Sequence, residues 1–401
     1  MPLNIDTRSV ALAIPPIWRL AFRPLFLGGT LFSIVAIGWW IHFWTHPFNW
    51  LPYGGPVWWH GHEMLFGFGA AIVVGFLLTA VQTWTGVIGI RGKPLVVLVL
   101  MWLLGRLLLV FGSGLPDWLI ATGDVSYLLL AAIAMAYPVI KVKQWRNLMF
   151  VPILFVFALL NAISHWGVIS EQPQLAIQSL HGTIMLFALI ISIIGGRVIA
   201  AFTANTTGCQ RAHPIKWLET VSITSIIFML VIASYGFTNV PSVLLLIVSS
   251  IAALANGWRY LRWGIQHSGS DPLLWSLHLA YAFIPLGFVA LALHSVGLME
   301  NTSAALHCFT VGAMGGMILA MISRVTLGHT GRPLNPPKLV SLAFLFILAA
   351  AIIRVIWPAW LPEFTSWGIA SAGIFWVLAY SIYILFYAPM LVTTRADGNP
   401  G

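Results

Sequence analysis

The stretch Trp59-His60-Gly61-His62-Glu63 opens the apolar run 63–84. Such a run is long enough to cross a bilayer as a helix, which takes about 17–25 apolar residues. Two imidazoles and a carboxylate at the edge of hydrocarbon are costly unless something pairs with them or binds to them. The stretch therefore predicts a membrane helix and, at its start, a functional site.

The composition of the whole chain extends this prediction. Of the 401 residues, 60% are hydrophobic and 7% are charged, with a mean hydropathy of +0.94, whereas soluble domains carry about 25% charged residues. We predict an all-α integral membrane protein, a single domain over 1–401 with no soluble domain. Twelve spans are predicted, at 24–44, 63–84, 94–112, 118–138, 148–167, 175–196, 215–236, 241–262, 273–294, 303–324, 338–357 and 365–387.

The basic residues predict the orientation. The net charge is +9, and seventeen of the 19 Lys and Arg residues fall in alternate loops. By the positive-inside rule both termini are expected to be cytoplasmic, and the distribution of charge does not favour nucleic acid as a partner. The segment before the first span carries Arg19 and Arg23 and lacks a cleavage site, so no signal peptide is expected. Cys209 and Cys308 fall on opposite sides of the membrane, so we expect no disulfide.

Histidines recur on every fourth span. His60 and His62 are on the second span, His181 on the sixth and His307 on the tenth. This spacing predicts three four-helix repeats in a pseudo-threefold arrangement, with these spans around a common centre. Chance similarity among glycine- and alanine-rich helices is the alternative.

The same three spans are rich in glycine, which permits close helix packing or leaves room for a flat macrocycle. The sequence does not separate these interpretations. The glycines concerned are Gly67, Gly69, Gly75, Gly195, Gly196, Gly312, Gly315 and Gly316.

The two imidazoles of the opening stretch project differently. On a helix, residues two apart point about 200° from each other. His60 and His62 are therefore expected to serve two sites on opposite sides of the second span. If His60 lies in the preceding loop instead, both could bind one ion.

Imidazoles on separate membrane helices suit haem better than structural zinc, and they also suit copper or non-haem iron. Glu63 could be a metal ligand, a group that orients an imidazole, or a proton donor. It could also simply interact with the helix N-terminus. We predict haem, one or two groups, with His60, His62, His181 and His307 as its ligands.

Arg106 and Arg354 are the two cations outside the charge pattern, within the third and eleventh spans. Their guanidinium groups could pair with haem propionates, because their bidentate geometry matches a carboxylate. Arg354 could instead extend toward the membrane surface.

A second set of polar residues falls on the cytoplasmic side. It could form an anion site, a point of proton uptake or a second metal site, although ordinary loop arginines explain part of it. Its members are Arg197, His278, Arg324 and His329.

Several of these motifs, in matching order over nearly the whole chain, make it similar to the NnrS family of bacterial membrane proteins. The motifs are Trp18-Arg19-Leu20-Ala21-Phe22-Arg23-Pro24, the run from Trp59 to Phe68, Gly75-Phe76-Leu77-Leu78-Thr79-Ala80, His181-Gly182, Gly196-Arg197-Val198-Ile199, Trp275-Ser276-Leu277-His278, the run from His307 to Gly315, and the run from Arg324 to Arg332. The resemblance implies a haem- and copper-associated inner-membrane protein, with haem of b type, linked to nitric oxide metabolism, nitrosative stress and denitrification.

The layout also resembles that of the haem-copper oxidase and nitric oxide reductase superfamily, which has histidine ligands on helices two, six and ten. By that analogy, one of His60 and His62 shares a haem with His307, and the other faces a second site toward His181. His165 could be a further metal ligand, so the metal candidates are His60, His62, Glu63, His165 and His181. No adjacent His-His pair marks the seventh span, which puts an oxidase-type copper site in doubt.

The leading function is a haem oxidoreductase that reduces nitric oxide to nitrous oxide, with Glu63 as the catalytic proton donor. A quinol or a small cytochrome would supply electrons, since the chain has no Cys-x-x-Cys-His motif. The alternatives are a haem-based sensor or sink for nitric oxide without turnover, and a proton-coupled transporter that needs no iron.

Overall fold

A computed structural model describes residues 5–46 and 48–400. It contains twelve helices long and apolar enough to cross a membrane, which confirms the predicted fold class. They are α1 (Phe22–Thr45), α2 (Pro56–Thr85), α3 (Lys93–Phe111), α4 (Asp117–Lys141), α5 (Trp145–Ile169), α6 (Pro173–Thr207), α7 (Lys216–Tyr235), α8 (Ser242–Leu261), α9 (Pro272–Ser295), α10 (Thr302–His329), α11 (Lys338–Trp360) and α12 (Pro362–Val392).

Several helices extend beyond the apolar runs that predict them. The second span is predicted at 63–84, but α2 begins at Pro56. Gly55 precedes it with a φ of 82°, a left-handed conformation that glycine adopts without strain, and proline is favoured at the first helical position. Both imidazoles are therefore helical, and the alternative that places His60 in a loop is wrong.

Three helices form the centre of the bundle. Within their most apolar windows, 83% of α2, 72% of α6 and 78% of α10 is buried, against 33% of α3 and of α11. The helices that carry the recurring histidines are therefore surrounded by the others. The threefold repeat stays a prediction.

The ends of the chain are joined by a buried arginine. Arg23, predicted as a loop cation, lies in α1 and is fully buried. Its Nη1 donates to the carbonyl oxygens of Leu391 at 2.9 Å and Thr393 at 2.7 Å. These carbonyls lie at and just beyond the C-terminus of α12, where backbone acceptors lack helical partners. The contact places α1 beside α12.

The glycines of the central helices all face side chains of neighbouring elements. A Cβ atom at Gly69 would meet Phe187, and one at Gly315 would meet Trp376. The same holds for Gly67, Gly75, Gly195, Gly196, Gly312 and Gly316. Close packing therefore accounts for these glycines, and the structure gives no support to the alternative that they leave room for a macrocycle.

Two of the central helices contain a π-helical segment directly after a histidine. The segment in α2 is Glu63–Gly69, after His62, and the segment in α10 is Cys308–Gly315, after His307. π-Helical turns are rare and frequently occur at functional sites. They therefore mark the start of α2 and of α10 as the region to examine.

An aromatic donor satisfies a backbone carbonyl in each π-helical segment. Trp102 Nε1 donates to the carbonyl oxygen of Gly67 at 2.8 Å, and the Tyr380 hydroxyl donates to that of Gly315 at 2.8 Å. A buried carbonyl without a partner would be destabilising. These two bonds thus help α3 and α12 to support the unusual turns.

Candidate functional site

A cavity of about 370 Å³ lies among α2, α6 and α10. His60, His181 and His307 line it, one from each central helix. Each of these residues lies near the start of its helix. Because even-numbered helices begin at the same end of an antiparallel bundle, the three imidazoles meet at that end. We call this the histidine cavity, and the end of the bundle that holds it the histidine end.

Each imidazole of the histidine cavity is held differently. The ring of His60 stacks on Trp40 with 4.3 Å between centroids, and that of His181 stacks on Phe237 at 5.6 Å. Neither ring has a hydrogen-bond partner within residues 5–46 and 48–400. His307 Nδ1 donates to the carbonyl oxygen of Ser303 at 2.6 Å, which leaves its Nε2 as the free nitrogen.

The walls of the cavity are largely apolar. Met64, Leu180, Ile184 and Leu306 contribute to the lining, and Ser303 and Thr310 are among its few polar side chains. Among residues with described side chains, no acidic residue lines it. The imidazoles are therefore the main donor groups for a ligand.

Arg354 lies close to this cavity. Its Nη2 donates to the Ser303 hydroxyl at 3.3 Å. Arg354 is partly buried and contacts a residue that lines the cavity. Both its pairing with a propionate and its extension toward the membrane surface stay predictions.

His62 points away from the cavity into a buried polar cluster. The members of this cluster are His62, Glu63, Arg106, Asp124, Asn161 and His165, and each is at most 4% exposed. They come from α2, α3, α4 and α5. His60 and His62 therefore face two different sites, as their spacing on a helix requires.

Both nitrogens of His62 face oxygen acceptors in the cluster. Nδ1 donates to Glu63 Oε1 at 3.0 Å. Nε2 lies 2.8 Å from Asn161 Oδ1 and 3.2 Å from Asp124 Oδ2. The ring is thereby held in one orientation.

Arg106 balances the two carboxylates. Its Nη1 lies 2.9 Å from Glu63 Oε1, and its Nη2 pairs with Asp124 Oδ1. Neither Arg106 nor Glu63 lines the histidine cavity. The expectation that Arg106 pairs with a haem propionate is therefore not supported, because its charge is already neutralised by protein carboxylates.

His165 connects the cluster to the loop before α2. Its Nε2 donates to Asp124 Oδ2 at 3.2 Å, and its Nδ1 lies 3.2 Å from the Tyr53 hydroxyl. Burial raises the pKa of the Tyr53 phenol above its ordinary value, and the negative charges of Asp117 and Asp124 add to this effect. Tyr53 therefore stays a neutral hydroxyl at the edge of the cluster.

The structure divides the predicted metal ligands between these two sites. His60 and His181 line the cavity, whereas His62, Glu63 and His165 belong to the cluster. Within the described ranges, the one group of three or more His, Cys, Asp or Glu residues with ligand atoms all within 4.8 Å is His62, Asp124 and His165. The imidazoles of the cavity are not gathered tightly enough for one bare ion to contact all three.

Comparison with known proteins identifies the chain. A family model described as NnrS protein matches residues 16–395, nearly the whole length.

The chain belongs to the NnrS family.

Membership in the NnrS family points to a role in the response to nitric oxide. No curated protein matches the chain. The two sites of this NnrS chain are accordingly described by their own geometry.

The second polar set predicted for the NnrS chain does not form one site. His278 Nε2 lies 2.9 Å from the Thr203 hydroxyl, and the Arg324 guanidinium lies over the Phe202 ring at 4.0 Å. His329 packs on the ring of Phe22 with 5.6 Å between centroids. These three side chains support helix packing at the end of the bundle opposite the histidine end.

Arg197 lies apart from those three. It lines a separate cavity at the same end, with Arg146 and Asn147. No hydrogen bond joins any two of Arg197, His278, Arg324 and His329, all of which lie within the described ranges. The prediction of a single constellation is wrong, because α6, α9 and α10 present these residues to different neighbours.

Asp124 and Asn161 were not among the predicted site residues. Asp124 is an acidic residue within the fourth apolar span, and intramembrane carboxylates are generally paired and functional. Asn161 precedes His165 by four residues and shares its helix face. Both signals are visible in the NnrS sequence, but their partners are not.

An ion pair between a buried arginine and a partly exposed glutamate joins α7 to α8. Arg259, predicted as a loop cation, is 3% exposed and contacts both carboxylate oxygens of Glu219, at 2.9 and 2.6 Å. Its Nη1 also donates to the Tyr281 hydroxyl at 3.1 Å. A Cβ atom on Gly196 would clash with this guanidinium, so α6 approaches the pair closely. The pair fastens α7 and α8 to the central helices.

Proposed function

We propose that this NnrS protein is a haem-binding oxidoreductase of nitric oxide metabolism in the bacterial inner membrane, with both termini cytoplasmic. The observation that supports the proposal is the convergence of imidazoles from α2, α6 and α10 on one cavity. Unlike His62, these imidazoles are not paired with carboxylates, so they are available to a ligand.

The residues of the histidine cavity fit a haem group. Apolar walls match a macrocycle, and imidazole is an axial ligand of haem iron. His60 and His307 would hold the haem group, with His181 at the third side of the cavity. Arg354, which bonds to Ser303 in the cavity wall, is proposed to pair with a propionate.

The chain orients these ligands in advance. Ser303 accepts the hydrogen bond from His307 Nδ1, so the other nitrogen is free for iron. Stacking on Trp40 holds the plane of the His60 ring. A bound haem would supply an iron centre that coordinates nitric oxide and transfers electrons to it.

The proposed reaction converts two nitric oxide molecules, two electrons and two protons into nitrous oxide and water. The electrons come from an external donor, a quinol or a small cytochrome. Glu63 does not line the cavity, and its Oε1 contacts Arg106 and His62. We therefore assign Glu63 a positioning role in the polar cluster and not proton transfer in the cavity.

The polar cluster is a second candidate site, for a metal ion. His62, Asp124 and His165 offer two imidazoles and one carboxylate within 4.8 Å of one another. This donor set suits copper or non-haem iron. Asp124 Oδ2 faces both imidazoles while Arg106 contacts Oδ1, so one oxygen of the carboxylate remains directed at the site.

Haem analysis of the purified protein tests the assignment of the histidine cavity. We expect a pyridine-haem signal in the wild type that falls below about a tenth in His60→Ala and in His307→Ala. His294→Ala is the matched control, because both nitrogens of His294 bond to protein atoms at the same end of the bundle. If both cavity variants retain full haem with unchanged spectra, the proposed ligation is wrong.

Activity is measured with an electrode for nitric oxide, with and without a quinol or a reduced cytochrome. Donor-dependent consumption with formation of nitrous oxide supports the reductase. Saturable, stoichiometric binding that no donor accelerates would support the sensor or sink instead. A colourless, iron-free preparation would favour the transporter and overturn the proposal.

A further inference from the structure

A second cavity, of about 400 Å³, lies at the end of the bundle opposite the histidine end. Arg146, at the start of α5, and Arg197, in α6, both line it. Gln144 and Asn147 add side-chain amides, and Trp84 and Phe150 form an aromatic wall. We call it the arginine cavity.

The charge of the arginine cavity is not balanced by protein groups. None of the acidic residues whose side chains the structure describes lines it. Arg146 is exposed and Arg197 is partly buried, so water screens only part of the repulsion between their guanidinium groups. An anion between them would remove this cost.

The hydrogen-bonding capacity of the two arginines is also largely unused. Arg197 reaches Asn147 Oδ1 at 3.4 Å and Met149 Sδ at 3.2 Å, a long contact and a weak acceptor. Arg146 is exposed, and within the part of the chain that the structure describes it has no protein hydrogen-bond partner, so its donors can exchange water for an anion. A planar guanidinium is well suited to donate two parallel bonds to a phosphate.

The link between α4 and α5 holds the amide side of the cavity in place. Lys143 has a φ of 53°, a left-handed conformation that is uncommon outside glycine. Directly after it, Gln144 Nε2 donates to the Trp84 carbonyl oxygen at 2.7 Å, and Asn147 Nδ2 donates to Gln144 Oε1 at 3.0 Å. The oxygen of Asn147 is thereby turned toward Arg197.

An apolar cavity adjoins the arginine cavity. It shares Phe76 and Ile194 with a cavity of about 70 Å³ between α1, α2, α6 and α10, whose lining includes Phe26, Met317 and Ile318. A charged cavity beside an apolar one fits an amphiphile with an anionic head.

We propose that the arginine cavity binds the phosphate group of an anionic phospholipid, with part of an acyl chain beside Phe76 and Ile194. Basic pockets between membrane helices on the cytoplasmic side are typical lipid headgroup sites, and the positive-inside rule assigns this end to the cytoplasm. A quinol fits less well, because it is neutral and must pass its protons to a base. The lining contains no carboxylate and no imidazole that could accept them.

The bound lipid would connect α2, α5 and α6 at this end. Because it binds the folded protein, it raises the apparent stability with its concentration. The site involves neither haem nor nitric oxide, so its test is independent of the proposed oxidoreductase function.

Native mass spectrometry of the delipidated protein in neutral detergent tests the proposal. We expect one phosphatidylglycerol per chain, bound more tightly than phosphatidylcholine. Arg146→Gln combined with Arg197→Gln should weaken this binding by at least about tenfold, since each variant removes charge-assisted hydrogen bonds. Arg262→Gln is the control, because Arg262 lies at the same end but bonds to the His213 carbonyl and does not line the cavity.

Folding of the double variant is checked by its unfolding temperature without lipid, which should match that of the wild type. Equal binding of phosphatidylglycerol to the wild type and the double variant overturns the proposal. Inorganic phosphate that binds as tightly as the lipid would identify a soluble anion as the ligand and would also overturn it. A neutral quinol analogue could displace the lipid and bind equally well to the wild type and the double variant. That result would identify a quinol site and overturn the proposal.

Discussion

Replacement of Arg106 by glutamine tests the role of the buried polar cluster most directly. The guanidinium contacts Glu63 Oε1 at 2.9 Å and also pairs with Asp124. Its side chain is 5% exposed. Arg106→Gln keeps a polar side chain but leaves two buried carboxylates without their cation.

The magnitude follows from this geometry. At 2.9 Å and an effective dielectric constant of about 20, the attraction between Arg106 and Glu63 is about 6 kcal/mol before desolvation is subtracted. Removal of one member of a buried ion pair costs about 3–5 kcal/mol, because the remaining charge stays buried. We expect a loss of that size in the free energy of unfolding.

Thermal unfolding in detergent measures the loss. For 401 residues, the usual scaling of unfolding entropy with chain length converts about 3–5 kcal/mol into a fall of about 4–6 °C in Tm. Addition of Glu63→Gln and Asp124→Asn should recover most of it, because no uncompensated carboxylate then remains.

Arg354→Gln is the matched control. Arg354 is also a cation within a membrane helix, but its hydrogen bond goes to the Ser303 hydroxyl and not to a carboxylate. We expect it to lose less than about 1.5 kcal/mol, typical of one hydrogen bond.

The haem content of the two variants should show the reverse order. Arg106→Gln should retain haem in its folded fraction, and Arg354→Gln should lose part of it. If Arg106→Gln is no less stable than Arg354→Gln, or if it is the variant that loses haem, the separation of cluster from cavity is refuted.

Three further changes test the packing around the sites, each by the change in Tm in detergent. Gly67→Ala should destabilise the protein, because its Cβ would meet the Arg106 guanidinium. Gly257 faces open packing, so Gly257→Ala should be neutral or stabilise the protein by about 0.5–1 kcal/mol. Equal Tm values for the two variants would contradict this. Tyr380→Phe should cost about 1–3 kcal/mol by leaving the carbonyl in the π-helical segment of α10 without its donor, and an unchanged Tm would count against that role. Glu219→Gln should cost about 1.5–3 kcal/mol by removing the acceptor charge from Arg259, and it should lower Tm more than Glu300→Gln, a change in a loop between helices.

The histidine spacing was informative because membrane helices obey simple geometry. Helical periodicity separates His60 from His62, and alternation of spans brings His60, His181 and His307 to one end. These consequences are local or topological, so they can be worked out from the order of residues in the chain.

The partners of buried charges could not be predicted in this way. Arg106 was expected to face a cofactor, yet it faces Asp124, which lies on another helix and was not among the predicted residues. Arg197 and Arg324 were grouped because both are basic and on one side, although their helices turn them toward different neighbours. Depth in the membrane follows from sequence, but the direction in which a side chain points depends on helix rotation.

The sequence by itself determined that this chain crosses the membrane twelve times, that it belongs beside NnrS proteins, and which residue types gather at its histidine end. Hydrophobic length and motif order suffice for those conclusions, since lipid demands apolar helices with satisfied backbones. Only the tertiary structure decided that His60 lines a cavity while His62 enters a separate charged cluster, and that Arg146 and Arg197 share a cavity without an acid. Those outcomes depend on how helices distant in the chain rotate and pack against each other. The fit between their side chains determines this packing, and no local sequence pattern predicts it.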